Sequence, residues 1–377
     1  MRVPFFDNRR ALERIVPALE SELPLLMAQP TLVGGAQVRR LEAEICTYTG
    51  ARFAVATGNA TDSLTISLMA LGIGPGDEVI VPCYSFFASV SSILHVGATP
   101  VFVDIEPNSY ALDATLIESR ITPRTRAIMP VHLFRQMADM DAVLALARRH
   151  GLHVVEDSAE GIGMRHGEVH AGLLGDIGVL SFFPTKTLGA LGDAGMILTQ
   201  DAGLAERARE VADNGRDASG LAQRAGFNSR MDDLQALYLR LQLAHLEADI
   251  DVRARCAQRY GQQLASLPAV RAPSVVHRPT AQRVVDYVYL IESDRRDDLA
   301  HHLAQHGVGT ETYYPLPLHL QPACAHLGGQ PGDFPVAEAA SRRALGLPMH
   351  ADLAEADIDQ VCRLIADFNR TPPMEHA

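Results

Sequence analysis

Between residues 50 and 200, short apolar runs alternate with longer amphipathic stretches. The apolar runs fall at 53–57, 78–81, 100–105, 126–131, 152–155, 178–183 and 195–199. Helical spacing follows several of them, beginning at Leu64, at Pro82 and at Asp139, which is placed to cap a helix ending at Gly151. Strands of this length, separated by helices, have to be joined by crossovers. The pattern therefore predicts an α/β fold with a mostly parallel sheet covered on both faces. In such sheets ligands sit outside the carboxyl ends of the strands. Thr61, Phe86, His132, Asp157 and Ser181 all lie at or just past predicted strand ends. Far apart in sequence, they are expected to converge.

The rest of the chain sets the frame. Its 377 residues are enough for two domains with a large core. Residues 1–30 form an N-terminal arm with a helix over 9–27. Residues 31–255 form the large α/β domain, and 256–377 a smaller α+β domain, with Pro268 and Pro273 marking the change of character. Inside these limits, 113–119 and 203–211 read as helices, 214–228 as a polar loop and 231–263 as a long helix or helix pair. Further on, 284–291 reads as a strand, 295–305 as a helix, 308–314 as extended and 335–345 and 355–368 as helices. A net charge of −12 without a basic stripe argues against a nucleic-acid partner. The five cysteines, 46, 83, 256, 324 and 362, are odd in number and lack metal-ligand spacing, so no metal site is expected and a reducing cytoplasm fits best. The N-terminus has no signal-peptide core, and no apolar run approaches the roughly 18 residues that would span a membrane.

Three features carry chemistry. The apolar run 178–183 stops at Pro184, and Lys186 follows, with glycines at 189, 192 and 195 before the next run. A lysine held between two buried strands is a candidate Schiff-base amine, because burial is expected to depress its pKa and free the nucleophilic form. The stretch 53–66 reads as strand, small-residue turn and helix, with Asn59 as an N-cap and Thr61 offering a hydroxyl. Such a helix start suits a phosphate. Asp157 ends an apolar strand, where a carboxylate can hold a proton on a pyridine nitrogen. A lysine amine, an acid under a ring nitrogen and a phosphate cup are together the requirements of pyridoxal 5'-phosphate.

At this point the chain resembles the DegT/DnrJ/StrS family of sugar aminotransferases. The likeness includes Pro4-Phe5-Phe6-Asp7, Thr61-Asp62-Ser63-Leu64, the run from Gly72 to Pro82 and the run from Gly97 to Asp104. It continues through Glu156-Asp157-Ser158-Ala159-Glu160, Ser181 to Lys186, Asn228-Ser229-Arg230-Met231-Asp232 and Pro317-Leu318-His319-Leu320-Gln321-Pro322. It implies the fold type I of pyridoxal-phosphate transferases, with a seven-stranded sheet. It implies Lys186 as the cofactor-bonding lysine and proton shuttle, and Asp157 as the partner of the ring nitrogen. Ala60, Thr61 and Ser181 match the phosphate cup, Phe86 the stacking aromatic and Glu160 the partner of the phenolic oxygen. Asn228 matches a phosphate ligand given by a neighbouring subunit, which implies a homodimer with shared sites. Arg230, Tyr313, Tyr314 and His319 are the implied substrate residues. The implied reaction converts a nucleotide-linked 3-keto or 4-keto deoxysugar to its amine, with L-glutamate as donor and the pyridoxamine form of the cofactor in between. Cyclitol ketones, or a regulatory protein on the same scaffold, are the alternatives. Three positions depart from the family pattern: Ala60 replaces the usual glycine, Arg135-Gln136-Met137 replaces Gly-Gln-Pro and puts a cation near the cleft, and Tyr313 replaces a histidine.

Overall fold

The computed structural model describes residues 3–267 and 270–370; residues 1–2, 268–269 and 371–377, and with them Pro268, lie outside the described residues. The chain opens with α1 (Arg9–Met27) and α2 (Ala36–Thr49), then β1 (Phe53–Thr57), α3 (Ala60–Ala70), β2 (Glu78–Pro82), α4 (Ala88–His95), β3 (Thr99–Val103), β4 (Thr125–Ile128), α5 (Met140–His150) and β5 (His153–Asp157). A hairpin of β6 (Arg165–His166) and β7 (Val169–His170) precedes β8 (Ile177–Ser181) and β9 (Gly195–Thr199). The seven-stranded sheet has the order β1-β9-β8-β5-β4-β2-β3. Only β9 runs against its neighbours, β8 and β1; the other pairings are parallel.

Side-chain alternation explains why both faces are covered. Val79 and Val81 point into one apolar cluster and Ile80 into the other; Ile197 goes to the first, Met196 and Leu198 to the second. A strand that is apolar at every position has no face to offer water, so helices cover both sides. That burial leaves the strand ends and their loops as the places where polar side chains can gather.

The second half continues with α6 (Ala202–Ala212), α7 (Asp233–Leu243), α8 (Leu246–Leu264), β10 (Gln282–Arg283), β11 (Tyr289–Glu292), α9 (Arg296–Gln305), α10 (Pro335–Arg343), β12 (Ala344–Leu347) and α11 (Glu355–Arg370). A third apolar cluster joins Tyr260, Tyr289, Leu299, Leu345 and Ile365, and takes in Val3 from the arm. Helix α8 serves two clusters: Ile250 packs into the second and Tyr260 into the third. The expected border at 255/256 thus falls inside one continuous helix.

Local readings differ in four places. The segment 284–291 is a regular strand only from Tyr289, because the backbone of Val285 and Tyr287 instead donates to the carbonyls of Arg135 and Phe134. The helix predicted over 335–345 ends at Arg343, and 344–347 pairs antiparallel with β11. The stretch 113–119 holds two single 3₁₀ turns rather than one helix. The hairpin at 165–170, which pairs with β10, was not anticipated. Its strands are two residues long, too short to show a period.

Candidate active site

A cavity of about 480 Å³ opens at the carboxyl edge of the sheet. Ala60 and Thr61 reach it from the start of α3, Phe86 from the loop after β2 and His132 from the loop after β4. Asp157 and Glu160 enter at the end of β5, Ser181 and Lys186 at the end of β8. Tyr287, Tyr313 and Tyr314 close it from the C-terminal half.

The floor is built by one close approach. A side chain on Gly195 would put its Cβ 2.5 Å from the carbonyl carbon of Asn59 and 2.7 Å from the nitrogen of Ala60. Only glycine lets β9 pass so near the start of α3. Asn59 does cap the helix, accepting from the Asp62 nitrogen at 2.8 Å, and Ala60 and Thr61 remain free to face the cavity. Ala60 is already in helical conformation, and it is not among the residues with positive φ. The alanine therefore needs none of glycine's conformational freedom.

Asp157 is buried, and both oxygens have partners: Ser89 Oγ donates to Oδ2 at 2.7 Å and the Ala159 nitrogen to Oδ1 at 3.2 Å. Ser85 Oγ lies 2.8 Å behind Ser89 Oγ, so the two hydroxyls form a relay ending on the carboxylate. Burial raises the Asp157 pKa, and these hydrogen bonds oppose that rise. Next to it, His132 Nδ1 accepts from the Ala138 nitrogen at 3.3 Å, which leaves Nε2–H to meet Glu156 Oε2 at 2.9 Å.

Lys186 Nζ lies 3.2 Å from Glu160 Oε1 and 4.4 Å from the ring centre of Tyr287. The expected depression of its pKa is not found. Burial does push the ammonium toward the neutral amine, but the Glu160 carboxylate, with Tyr287 and Asp157, outweighs burial and holds the pKa above the ordinary lysine value. Glu160 is itself fixed by the Phe134 nitrogen, which donates to Oε2 at 2.6 Å. Phe134 has a φ of 62°, unusual for a bulky side chain, and this turn aims its N–H at the carboxylate.

Four expected positions lie elsewhere. His319 is fully buried away from the cavity, against Phe334 and 3.3 Å from Glu338 Oε1, so within this chain it faces no substrate. Asn228 and Arg230 do not line this chain's own cavity; Arg230 Nη2 donates to Asn228 Oδ1 at 2.6 Å, and Arg230 Nη1 meets Asp213 at 3.1 Å. Their neighbour Ser229 is buried and accepts from the Gly58 nitrogen at 3.1 Å, which ties the loop to the start of α3. Arg135 turns away from the cleft: its Nε is 3.0 Å from the buried Asp286 carboxylate, so the expected cation near the cofactor cavity is absent from it. Sequence reasoning missed Ser89, Tyr287 and one plain count. Lys186 is the only lysine in the chain, among 33 lysines and arginines.

The cavity suits a flat, phosphorylated pyridine. A buried acid with hydrogen-bonded oxygens waits for a ring N–H, an exposed aromatic flanks the space, a helix start offers unpaired N–H groups, and one lysine amine reaches in. The profile of the DegT/DnrJ/EryC1/StrS aminotransferase family matches residues 20–366. The chain belongs to this family. Its members are pyridoxal-phosphate aminotransferases, and this aminotransferase shares their cofactor and reaction type. It is 41% identical over 98% of its length, and 99% of the relative's, to a protein of Geobacillus stearothermophilus named as a pleiotropic regulatory protein. It is 39% identical over 98% of both chains to a UDP-N-acetyl-3-dehydro-alpha-D-glucosamine 3-aminotransferase of Acidithiobacillus ferrooxidans. The solved structure of S. venezuelae DesV superposes with a TM-score of 0.94 at 38% identity, covering 99% of this chain and all of that one.

Proposed function

We propose that this aminotransferase transfers the amino group of L-glutamate to the keto carbon of a nucleotide-linked deoxysugar. The observation that carries the reading is that the single lysine stands in the cavity, between Glu160 and Tyr287, with the buried Asp157 carboxylate beside it. Bound there, pyridoxal phosphate supplies an electron sink for a carbanion. In this reading Asp157 keeps the ring nitrogen protonated, and Ser89 and Ser85 keep Asp157 in place. Phe86 covers one face. Ala60, Thr61 and Ser181 take the phosphate. Lys186 Nζ would take the proton from the donor's α-carbon and deliver it in the 1,3-shift that moves the amino group, a role worth roughly 10²–10⁴-fold for a positioned base. Tyr313 and Tyr314 face the sugar. The 3-aminotransferase relative supports a nucleotide-linked keto sugar, and five free cysteines fit a reducing, cytoplasmic setting.

The test is a panel of dTDP-, UDP- and GDP-linked 3-keto and 4-keto sugars with glutamate and added cofactor. The expected outcome is a yellow holoprotein that makes one amino sugar and one equivalent of 2-oxoglutarate. A colourless protein, or a loaded one that aminates no member of the panel, would overturn the reading in favour of the regulatory role its 41% relative is named for.

A homodimer is part of the proposal. The cavity is lined by Asp157, Glu160 and Asp193 against one lysine, yet its ligands carry phosphates. Beyond the N–H groups at the start of α3, the lining offers a phosphate no lysine or arginine but Lys186, which leaves room for donors from a partner subunit. Asn228 and Arg230 sit on a loop beside the start of α3 with no part in their own cavity, and Phe86 and Phe183 leave apolar rims at its mouth. A two-fold pairing brings Asn228 of the partner subunit to the phosphate. Mixing Lys186→Ala with Asn228→Asp tests this. Each homodimer should be inactive, and subunit exchange should restore activity toward one working site per hybrid. Confirmed hybrids without recovery would place Asn228 in its own subunit's chemistry.

A further inference from the structure

Tyr287 is the one cavity residue drawn from the irregular segment that precedes β11, and its backbone is fixed at both ends. Its nitrogen donates to the Phe134 carbonyl at 2.9 Å, and its carbonyl accepts from Arg253 Nη1 at 3.1 Å. Arg253 is itself buried, only 3% exposed, and its other backbone partner is the Met349 carbonyl at 3.1 Å. A buried guanidinium spent on carbonyls is an expensive anchor. Its effect is to set the Tyr287 ring. The ring face looks onto Lys186 Nζ from 4.4 Å, and the phenol oxygen stands 3.1 Å from Oγ1 of Thr185, the residue before the lysine. One tyrosine thus grips the lysine loop by a hydrogen bond and faces the amine with its π-cloud.

On the side of Glu160, Nζ is held by charge. A single charged partner fixes a distance and leaves direction loose. The ring supplies the second constraint while Nζ carries the proton it exchanges, since an ammonium is attracted to an aromatic face and the neutral amine is not. We propose that Tyr287 is a positioning residue for Lys186, holding Nζ where it can exchange a proton with the α-carbon of the amino donor. This rests on the aminotransferase reading above and adds to it a residue outside the family motifs.

The experiment uses holoenzyme reconstituted with pyridoxal phosphate, as wild type and as Tyr287→Leu, Tyr287→Met and Tyr287→Phe. Exchange of glutamate's α-hydrogen in heavy water is followed without any keto sugar, together with cofactor affinity and the KM for glutamate. The leucine and methionine variants should keep their colour and hold KM within about threefold, while exchange falls on the order of 10- to 100-fold, the scale of a misplaced reacting group. The phenylalanine variant keeps the ring face and should recover to within roughly fivefold of wild type. Methionine guards against a leucine variant that fails to fold. Exchange within about twofold of wild type in leucine and methionine variants that bind cofactor would overturn the proposal, as would a phenylalanine variant no faster than they are. A wild type that neither colours nor exchanges would overturn the aminotransferase reading itself, so the two failures are told apart.

Discussion

Replacing Lys186 with alanine should abolish turnover, by at least about 10⁴-fold, because one side chain is asked both to bond the cofactor and to carry the proton. The protein should still fold and still take up pyridoxal phosphate, since Asp157, Thr61 and the start of α3 are untouched. The composition makes the result unusually clean. With no other lysine in the chain, borohydride reduction of the wild-type holoprotein can attach the cofactor to one side-chain amine only, and Lys186→Ala has none left. Mass spectrometry of the reduced, digested wild type should find the added mass on the peptide containing Lys186. An unlabelled peptide, or an alanine variant that keeps more than about a hundredth of the activity, would end the claim that this lysine is the centre of the chemistry. The raised pKa of Lys186 adds a condition. In the cofactor-free chain the Glu160 carboxylate, against the push of burial, favours the charged amine over the neutral one that attacks.

The sheet was legible because strands buried on both faces read as continuous apolar runs, and helices of regular period fill the gaps between them. Residues at the ends of those runs, Thr61, Phe86, Asp157 and Ser181, were legible with it, since strand ends in a parallel sheet face one edge. What resisted reading was set by contacts between distant segments. The Tyr287 segment alternates like a strand, and only the carbonyls of Arg135 and Phe134, which draw off its N–H groups, keep it irregular. The Lys186 pKa could not be judged from burial alone, because its sign is decided by Glu160, 26 residues away in sequence. Arg135 looked like a cation for the cleft until the buried Asp286 was seen to claim it. His319, embedded in a motif of the family, turned out to sit on Phe334 and Glu338 in the core. A motif marks descent; it does not say which of its members touch the ligand.

Asp157→Asn should separate chemistry from binding. The asparagine carbonyl can still accept from the Ala159 nitrogen while its NH2 donates to the Ser89 hydroxyl, which can then donate to Ser85, and the volume is nearly unchanged, so the surroundings have no reason to collapse. What is lost is the negative charge. A ring nitrogen without that charge beside it gives up its proton, and an unprotonated ring is a poor acceptor of carbanion electrons. The interaction grows as charge develops during proton removal, so its loss falls on the rate more than on the resting complex. The half-reaction with glutamate should therefore slow on the order of 10²–10³-fold, the range for removal of one preorganised electrostatic partner. Cofactor affinity, carried mainly by the phosphate end and by Lys186, should fall less than about tenfold. Single-turnover absorbance of the loaded variant gives the first number, and titration with pyridoxal phosphate gives the second. If the two fall together by the same factor, Asp157 is holding the cofactor in its pocket and no more, and the electron-sink role passes to another group. If the rate alone falls, the acid at the end of β5 is the charge against which the reaction runs.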